Sequence, residues 1–499
     1  MATNFKNVLN FIRSVMPDAE EFINSEDDLL LNITEIFSDS RKVVQGSLFC
    51  CITGEKSDGH KFAEQAVKNG AVALLCERKL ENLPVPQIVI KGRNIRDVLG
   101  DLAAFIYDKP CEKMLMVGVT GTNGKTTTTY IIRSILQAAG IRTGLLGTVI
   151  ESDGIHEIEA DRTTPESSEI QKQLYEMLNN NCGACVMETS SHGLFLGRLK
   201  GTKFDIPIFT NLFPEHLDFH KNMNDYFAAK ELLFTKYSKD NFIGAANFDD
   251  PYGKMLIDEF EHSLRGFGMS EKAPSSVIAF ETNLNGSQLL IQTQGFENAI
   301  AIKSPLAGKF NIMNTLCAVT AMRGRVDDEA IINGVANVPQ VPGRLERINL
   351  PNGALCFVDF AHTPSALENV LKTVWTLSGN RHGKIISLFG HGGGRYELNR
   401  PELGRVAAQI ADEIIVTSDN ARDEDPAKIA EAIVSGIKAK PYKVILDRPE
   451  AVNYALDKLN SNDILIITGK GPERFITIGN NKIPFNDAEA VKKWAAEKI

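Results

Sequence analysis

The sequence predicts an α/β chain in three domains, and three observations lead there. Short apolar runs of strand length alternate with helical patterns along almost the whole chain. A glycine-rich turn joins one such run to one such helix and marks a nucleotide-binding unit. Two breaks in pattern, at Asp108-Lys109-Pro110-Cys111-Glu112-Lys113 and near Val341-Pro342-Gly343-Arg344, divide the chain into segments 1–112, 113–341 and 342–499. With 499 residues in all, each segment is long enough to bury its own core.

In the first segment a helix is expected over 5–15, strands over 47–52, 71–76 and 87–90, and a helix over 62–68, which makes a small α/β domain. The second begins with the apolar run 114–117 and continues with strands over 143–149, 184–187 and 206–211 separated by helical stretches, the pattern of a mainly parallel sheet. Near its end, 277–282 and 289–293 flank Asn285-Gly286, a hairpin signal, and 300–302 follows, so an antiparallel patch is expected there. In the third segment 356–359, 384–389, 413–417, 443–446 and 463–468 read as strands with helices between them, a doubly wound fold.

A hydrophobic share of 43% and a charged share of 23% suit a soluble globular protein. The formal net charge of -9 argues against nucleic acid or an anionic membrane surface as partner, so an anionic substrate must be met by local cation clusters. No segment has the length of a membrane span, the start Met1-Ala2-Thr3-Asn4-Phe5-Lys6 lacks a signal-like apolar core, and a cytoplasmic location is expected. The eight cysteines, several inside apolar runs, read as buried thiols; Cys182 and Cys185 form a C-x-x-C without a second pair at metal-site spacing.

The turn itself is Gly118-Val119-Thr120-Gly121-Thr122-Asn123-Gly124-Lys125-Thr126-Thr127, followed by a helical pattern over 130–136. Glycines let backbone N–H groups crowd around phosphate oxygens, the helix N-terminus adds partial positive charge, Lys125 adds a full one, and Thr126 offers a hydroxyl to magnesium. Only the G-K-T end of the common phosphate-loop pattern is met, because Val119 stands where the strict spacing puts a glycine. The residues expected around a nucleoside triphosphate are Gly121, Thr122, Asn123, Gly124, Lys125, Thr126 and Thr127.

Met187-Glu188-Thr189-Ser190-Ser191-His192-Gly193 puts a carboxylate, Glu188, at the end of a strand, where parallel sheets bind ligands, and Glu188 is the natural magnesium ligand. His216 and His220 are four apart and could share a helical face, but Glu215 precedes the first of them, so the order of a hydrolytic zinc helix is absent. Lys230 lies within an apolar helical stretch, where an ammonium without a partner is costly and chemical modification would relieve the cost.

These segments resemble the Mur ligases, the ATP-dependent amide-forming family of peptidoglycan synthesis. The resemblance is carried by T-G-T-N-G-K-T at 120–126, E-T-S-S-H-G at 188–193, T-N-L…H-L-D within 210–218 and K-F-N-I-M-N at 309–314. P-G-R-L-E at 342–346, D-F-A-H-T-P at 359–364, Ser38-Asp39-Ser40-Arg41 and Asp58-Gly59-His60 extend it over nearly the whole chain. The resemblance implies a uridine-nucleotide-binding N-terminal domain, a central P-loop-type ATPase domain and a C-terminal Rossmann-like domain that brings the incoming amino acid. The N-terminal pair and the late motifs are similar to the members that add a diamino acid to UDP-N-acetylmuramoyl-L-alanyl-D-glutamate.

Carried over by motif, Ser40 should contact the uridine part, and Thr163, Thr164, Ser190 and Arg198 the sugar-peptide and its phosphates. Asn311 should meet the adenine end of ATP, with Arg344 and Asp359 closing over the nucleotide. Lys230 matches the family lysine that is carbamylated to N6-carboxylysine. Lys125, Glu188, His216 and Lys230 form the catalytic set, and Thr126, Glu188, His216 and carbamylated Lys230 the magnesium set. Arg395, Asp419, Asn420, Arg422, Gly469 and Glu473 match the positions that read the amino acid. A guanidinium fork from Arg422 or Arg395 together with the acid Glu473 suits the distal carboxylate and amine of meso-diaminopimelate, and lysine has no such carboxylate.

Four positions depart from the family pattern: Ala421 replaces a proline, Leu196 a glutamine, Glu215 an aspartate and Pro472 a histidine. The implied reaction is ligation through an acyl phosphate with ATP and magnesium, by a monomer whose partners are small molecules. L-lysine as the added amino acid is the alternative. A folylpolyglutamate-synthase-like ligase is disfavoured by the N-terminal domain carrying Ser40, and a nucleotide switch without ligase chemistry is the rival of another class.

Overall fold

A computed structural model describes residues 3–54, 57–92, 94–379 and 383–498. They fold as two compact units. The first takes in Met1–Ser276, Gln292–Ala299 and Leu316–Gly334, the second Val277–Ile291, Ile300–Thr315 and Val335–Ile499. The architecture is α/β with mostly parallel sheets, as the alternating pattern predicts.

The first unit opens with α1 (Phe5–Val15), started by the Asn4 side chain accepting from Asn7 N–H. Its apolar stripe, Phe5, Val8, Leu9 and Ile12, is buried. A five-stranded sheet follows, built from β1 (Glu20–Phe22), β2 (Glu35–Phe37), β3 (Ser47–Cys50), β4 (Ala71–Cys76) and β5 (Gln87–Val89) in the order β1-β5-β4-β3-β2. Only β1 runs antiparallel to its neighbour. Helices α2 (Ala63–Lys68) and α3 (Arg96–Ile106) complete this part, and its sheet is covered on both faces by separate apolar clusters.

The chain then enters a second sheet through β6 (Leu115–Thr120), α4 (Lys125–Ala138) and β7 (Thr143–Leu146). It goes on through α5 (Ser167–Asn179), β8 (Ala184–Glu188), α6 (Ser191–Phe195), β9 (Ile206–Phe209), α7 (Leu217–His220) and α8 (Met223–Thr235). β10 (Gly244–Asn247), α9 (Pro251–Glu259) and β11 (Leu264–Gly268) close it. The parallel strands lie in the order β7-β8-β6-β9-β10-β11, so β6 is central and its C-terminal turn opens between β8 and β9. The register Met187↔Gly118 and Ile208↔Val119 brings the ends of these three strands level, which is what gathers Glu188, Gly121 and Thr210 at one edge. A short antiparallel pair, Ile150–Ser152 and Glu157–Glu159, extends the β7 edge; the apolar pattern did not signal it, because Glu157–Glu159 is wholly exposed.

The second unit contains the expected antiparallel patch, with Gly286–Gln292 against Ile300–Ser304. Beyond it run β12 (Glu346–Asn349), β13 (Leu355–Asp359), α10 (Pro364–Ser378), β14 (Ile385–Phe389), α11 (Asn399–Ile410), β15 (Glu413–Val416) and α12 (Pro426–Val434). β16 (Tyr442–Val444), α13 (Arg448–Asp457), β17 (Ile464–Thr468) and α14 (Asp487–Glu497) follow, and the sheet order is β12-β13-β17-β14-β15-β16. Helix starts are written plainly: Thr363, Asp425 and Asp447 each cap a helix with proline in its first turn. All but β12 are parallel to their neighbours, and β12 was missed because its short alternating run sits directly behind the Pro-Gly turn. Among the described residues no helix is long and apolar enough to cross a membrane. All eight cysteines are buried and none is disulfide-bonded.

Candidate active site

The turn after β6 is fixed by its own backbone. Gly121 has φ +144° and Gly124 φ +87°, and a Cβ on Gly121 would stand 1.9 Å from Thr210 Oγ1, so this turn admits only glycine there. The end of β9 clamps it: Thr210 Oγ1 donates to Asn123 O at 2.6 Å, Asn123 N–H to Asn211 Oδ1 at 2.9 Å, and Thr122 N–H to Asn211 O at 2.8 Å. Thr126 and Thr127 are buried in the first turn of α4, whose leading amides have no intrahelical acceptor and are the natural ligands of an anion.

Two lysines converge on this turn. Lys125 Nζ donates to Gly121 O at 2.9 Å and Thr122 O at 2.8 Å, and Lys230 Nζ donates to the same Gly121 O at 2.9 Å. Lys230 is 1% exposed, lies 4.5 Å over the Tyr226 ring, and has no carboxylate within ion-pair distance among the described residues. Burial first, and the Lys125 charge second, hold its amine well below the usual lysine range. Tyr226 ties the arrangement together, since its hydroxyl is 3.2 Å from Thr122 Oγ1.

Glu188 ends β8 and is 1% exposed. Its oxygens accept from Thr148 N–H and Thr148 Oγ1, both at 2.9 Å, which aims the carboxylate and leaves lone pairs on each oxygen. Thr163 Oγ1 is 3.1 Å from the Thr148 hydroxyl. Thr164 Oγ1 is 3.0 Å from Glu188 O, from Ser190 Oγ and from Ser190 N, and Arg198 Nη1 donates to Thr164 O at 3.2 Å. Thr163, Thr164, Ser190, Arg198 and Glu188 therefore form one connected group. Arg198 is further held by Glu166, which also meets Arg96 and Arg162. Ser40 stands in the turn after β2, takes no part in this hydrogen-bonded group, and is nearly buried with its carbonyl held by Asn69 Nδ2 at 2.8 Å. Close along that part of the chain, His60 Nδ1 meets Asp58 at 2.7 Å while Nε2 accepts from Glu77 N–H, which settles the tautomer.

His216 and His220 do not share a regular helical face. His216 caps α7 in the left-handed region at φ +56°, and His220 ends that four-residue helix with Nε2 3.0 Å from Ser191 Oγ. His192 lies between them, its ring centroid 4.8 Å from His216 and 5.4 Å from His220. Burial lowers all three, His220 to about 4, so the cluster is neutral near pH 7 and His216 keeps a free imidazole lone pair to offer. Thr148, His192 and Tyr226 are not among the expected site residues; the fold brings them to Glu188, His216 and Thr122 respectively.

In the second unit Asn311 is buried, with Nδ2 donating to Ala307 O at 2.9 Å and Oδ1 accepting from Asn314. Asp359 ends β13 and accepts from Leu345 N–H and Ala361 N–H at 2.7 and 2.8 Å; burial raises it, against Arg344 and those two amides. The Arg344 guanidinium lies 5.4 Å from the Phe360 ring centroid. A pocket at the C-terminal ends of β13, β14, β15 and β17 is lined by Phe360, His362, His391, Gly392, Arg395, Asp419, Asn420, Arg422, Gly469 and Glu473. All six residues expected to read an amino acid therefore line one pocket. Arg422, at φ +52°, donates Nη1 to Gly393 O, and Arg400 meets Glu424, which in turn accepts from Gly394 N–H, so the loop bearing Arg395 is braced.

No three His, Cys, Asp or Glu side chains gather as a metal cage among the described residues. The donors at the turn, the Thr126 hydroxyl and the Glu188 carboxylate, fit magnesium all the same, since that ion takes one or two carboxylates and completes its shell with water and substrate phosphates.

Three family models match in succession: the Mur ligase family catalytic domain over 32–107, the Mur ligase middle domain over 119–322 and the Mur ligase glutamate ligase domain over 343–471. A protein of Alkaliphilus metalliredigens called UDP-N-acetylmuramoyl-L-alanyl-D-glutamate–2,6-diaminopimelate ligase is 38% identical over 475 residues, covering 94% of this chain and 94% of its own. One of the same description from Clostridioides difficile is 38% identical over 480 residues, 95% of this chain and 97% of its own. A solved structure of an enzyme so described superposes with a TM-score of 0.69 at 27% identity, covering 100% of this chain and 99% of the other. With its phosphate-binding turn, its sheet topology and these relatives in agreement, the chain belongs to the Mur ligase family of ATP-dependent ligases.

Proposed function

We propose that this ligase joins meso-2,6-diaminopimelate to the D-glutamate residue of UDP-N-acetylmuramoyl-L-alanyl-D-glutamate, making the tripeptide precursor of peptidoglycan in the cytoplasm as a monomer. The observation that carries the amino-acid choice is the single pocket in which Arg395, Arg422, Asp419, Asn420 and Glu473 converge. Two guanidiniums and two acids match a far end that bears both a carboxylate and an amine.

In the first step an oxygen of the D-glutamate γ-carboxylate attacks the γ-phosphorus of ATP, and ADP leaves. The amine of the diamino acid then attacks the acyl carbon, gives up a proton to solvent, and inorganic phosphate departs to leave the amide. Gly121 to Thr127 hold the triphosphate, Lys125 exchanges its turn carbonyls for phosphate oxygens, and charge placement rather than covalent chemistry lowers the barrier. Thr126, Glu188 and His216 would hold magnesium, which supplies Lewis-acid neutralisation of phosphoryl charge. Asn311, Arg344 and Asp359 serve the nucleotide, and Thr163, Thr164, Ser190, Arg198 and Ser40 the UDP-linked substrate.

Lys230 carries a carbamate in the active enzyme. Burial first, and the Lys125 charge second, favour the neutral amine, the form whose lone pair bonds to carbon dioxide, with loss of one proton to solvent. The product is an anion beside Lys125, which turns a repulsion into an attraction.

The test offers purified protein ATP, magnesium and the UDP-linked dipeptide with either meso-diaminopimelate or L-lysine and weighs the product. Tripeptide from diaminopimelate at a much higher kcat/KM is expected. Equal or better turnover of L-lysine overturns the amino-acid choice, and phosphate release that ignores both substrates overturns the ligase reading.

A further inference from the structure

Lys470 is fully buried, 0% exposed, behind the pocket of the second unit rather than in its lining. Its ammonium has three N–H bonds, and all three are used. They reach Glu473 Oε2 at 2.9 Å, Asn420 Oδ1 at 3.2 Å and Phe475 O at 2.6 Å. Asn420 Nδ2 donates to that same Glu473 oxygen at 2.8 Å, and Thr477 N–H donates to Asn420 Oδ1 at 2.9 Å. Lys470, Asn420 and Glu473 thus close a ring of hydrogen bonds in which each orientation is determined by the other two.

Two consequences reach the ligand. Glu473 has one oxygen tied inward, while Oε1 accepts from none of the described residues and its side chain is 39% exposed. The pocket charges also count unevenly. Arg395 and Arg422 cancel Asp419 and Glu473, the neighbouring pairs Arg448–Asp487 and Arg400–Glu424 cancel within themselves, and Lys470, 3.9 Å from Asp419, leaves one positive charge over. A lysine substrate would bring a lone ammonium toward that excess. A diamino dicarboxylate brings a carboxylate with its ammonium.

We propose that Lys470 is a specificity-determining positioning residue, which fixes Glu473 to receive the distal ammonium and supplies the excess charge that makes a distal carboxylate a requirement. This rests on the reading of the pocket as the site of the diamino acid. Lys470 touches no substrate, because it has no N–H left to give.

The experiment compares Lys470→Met, Lys470→Gln and Glu473→Gln in the full chain. It measures kcat/KM for meso-diaminopimelate and for L-lysine, and KM for ATP and for the UDP-linked dipeptide. In both Lys470 variants the preference for diaminopimelate should fall about thirtyfold or more, with KM for the other two substrates within about twofold of the parent. Glu473→Gln placed on Lys470→Met should add no more than about threefold, because the two act as one unit. A selectivity ratio unchanged in either folded Lys470 variant overturns the proposal, as does a uniform loss of kcat with every KM unchanged. Should neither Lys470 variant fold, Glu473→Gln decides: lost selectivity supports the ring, and full selectivity overturns it. Parent enzyme that makes no product with diaminopimelate refutes the reading of the pocket instead, so the two failures are distinguishable.

Discussion

At the turn after β6 two lysines share one backbone carbonyl, and the more deeply buried of them has no carboxylate within ion-pair distance among the described residues; around the pocket of the second unit Lys470, Arg400 and Arg448 each meet a carboxylate. The first arrangement is an electrostatic debt between two close cations, which a ligand or a carbamate relieves. The second is paired within the protein but for the one positive charge that Lys470 leaves over. The difference follows from what each must do. A triphosphate brings several negative charges and needs clustered cations, whereas an amino acid that is both acid and base needs a set of charges fixed in place.

The contrast is broken most severely at the turn itself. Gly121→Ala puts a methyl group where Thr210 Oγ1 stands, and Lys125→Met removes the charge alone. Both should lower kcat by about 10³-fold or more, but only Gly121→Ala should also cost about 2–4 kcal/mol of stability, which denaturant unfolding reads. Next comes Arg422→Lys, which keeps the charge of the pocket and loses the planar fork. It should lower kcat/KM for diaminopimelate about 10²-fold while KM for ATP holds.

A smaller effect sharpens the other side. If a carbamate settles the lysine debt, protein held in carbon-dioxide-free buffer should lose about tenfold in activity and regain it with bicarbonate, and ¹³C-bicarbonate should give a carbamate resonance that Lys230→Ala lacks. Smallest is the effect of pH on stability. His220 titrates at about 4 in the folded chain and near 6.5 unfolded, so between those values the unfolded state binds more protons and stability rises with pH. Its contribution is whole above about pH 6.5 and is lost as pH falls toward 4; the melting temperature of His220→Gln should fall less over that interval than that of the parent.

Much of this was legible from residue order. Gly121, Gly124 and Lys125 announce the turn because backbone geometry and charge leave few other uses for them, and strands such as Ala71–Cys76 and Ala184–Glu188 are apolar on both faces, as buried parallel strands must be. Thr148 gave no signal, since a lone threonine acquires its task only when β7 and β8 lie side by side and bring it to Glu188. The left-handed His216 was equally hidden, because the i to i+4 spacing with His220 suggested a helix that the chain enters only after that residue. Glu166 gathers Arg96, Arg162 and Arg198 from distant stretches, and no local pattern encodes such a meeting.

The close approach of Gly121 to Thr210 bears on resistance to inhibitors. Side chains around a binding site can be exchanged to evade a drug, but a molecule that took its hydrogen bonds from the amides of this turn would grip N–H groups that every residue except proline supplies. At Gly121, where bulk would crowd such a molecule, the approach of Thr210 Oγ1 leaves no room for any.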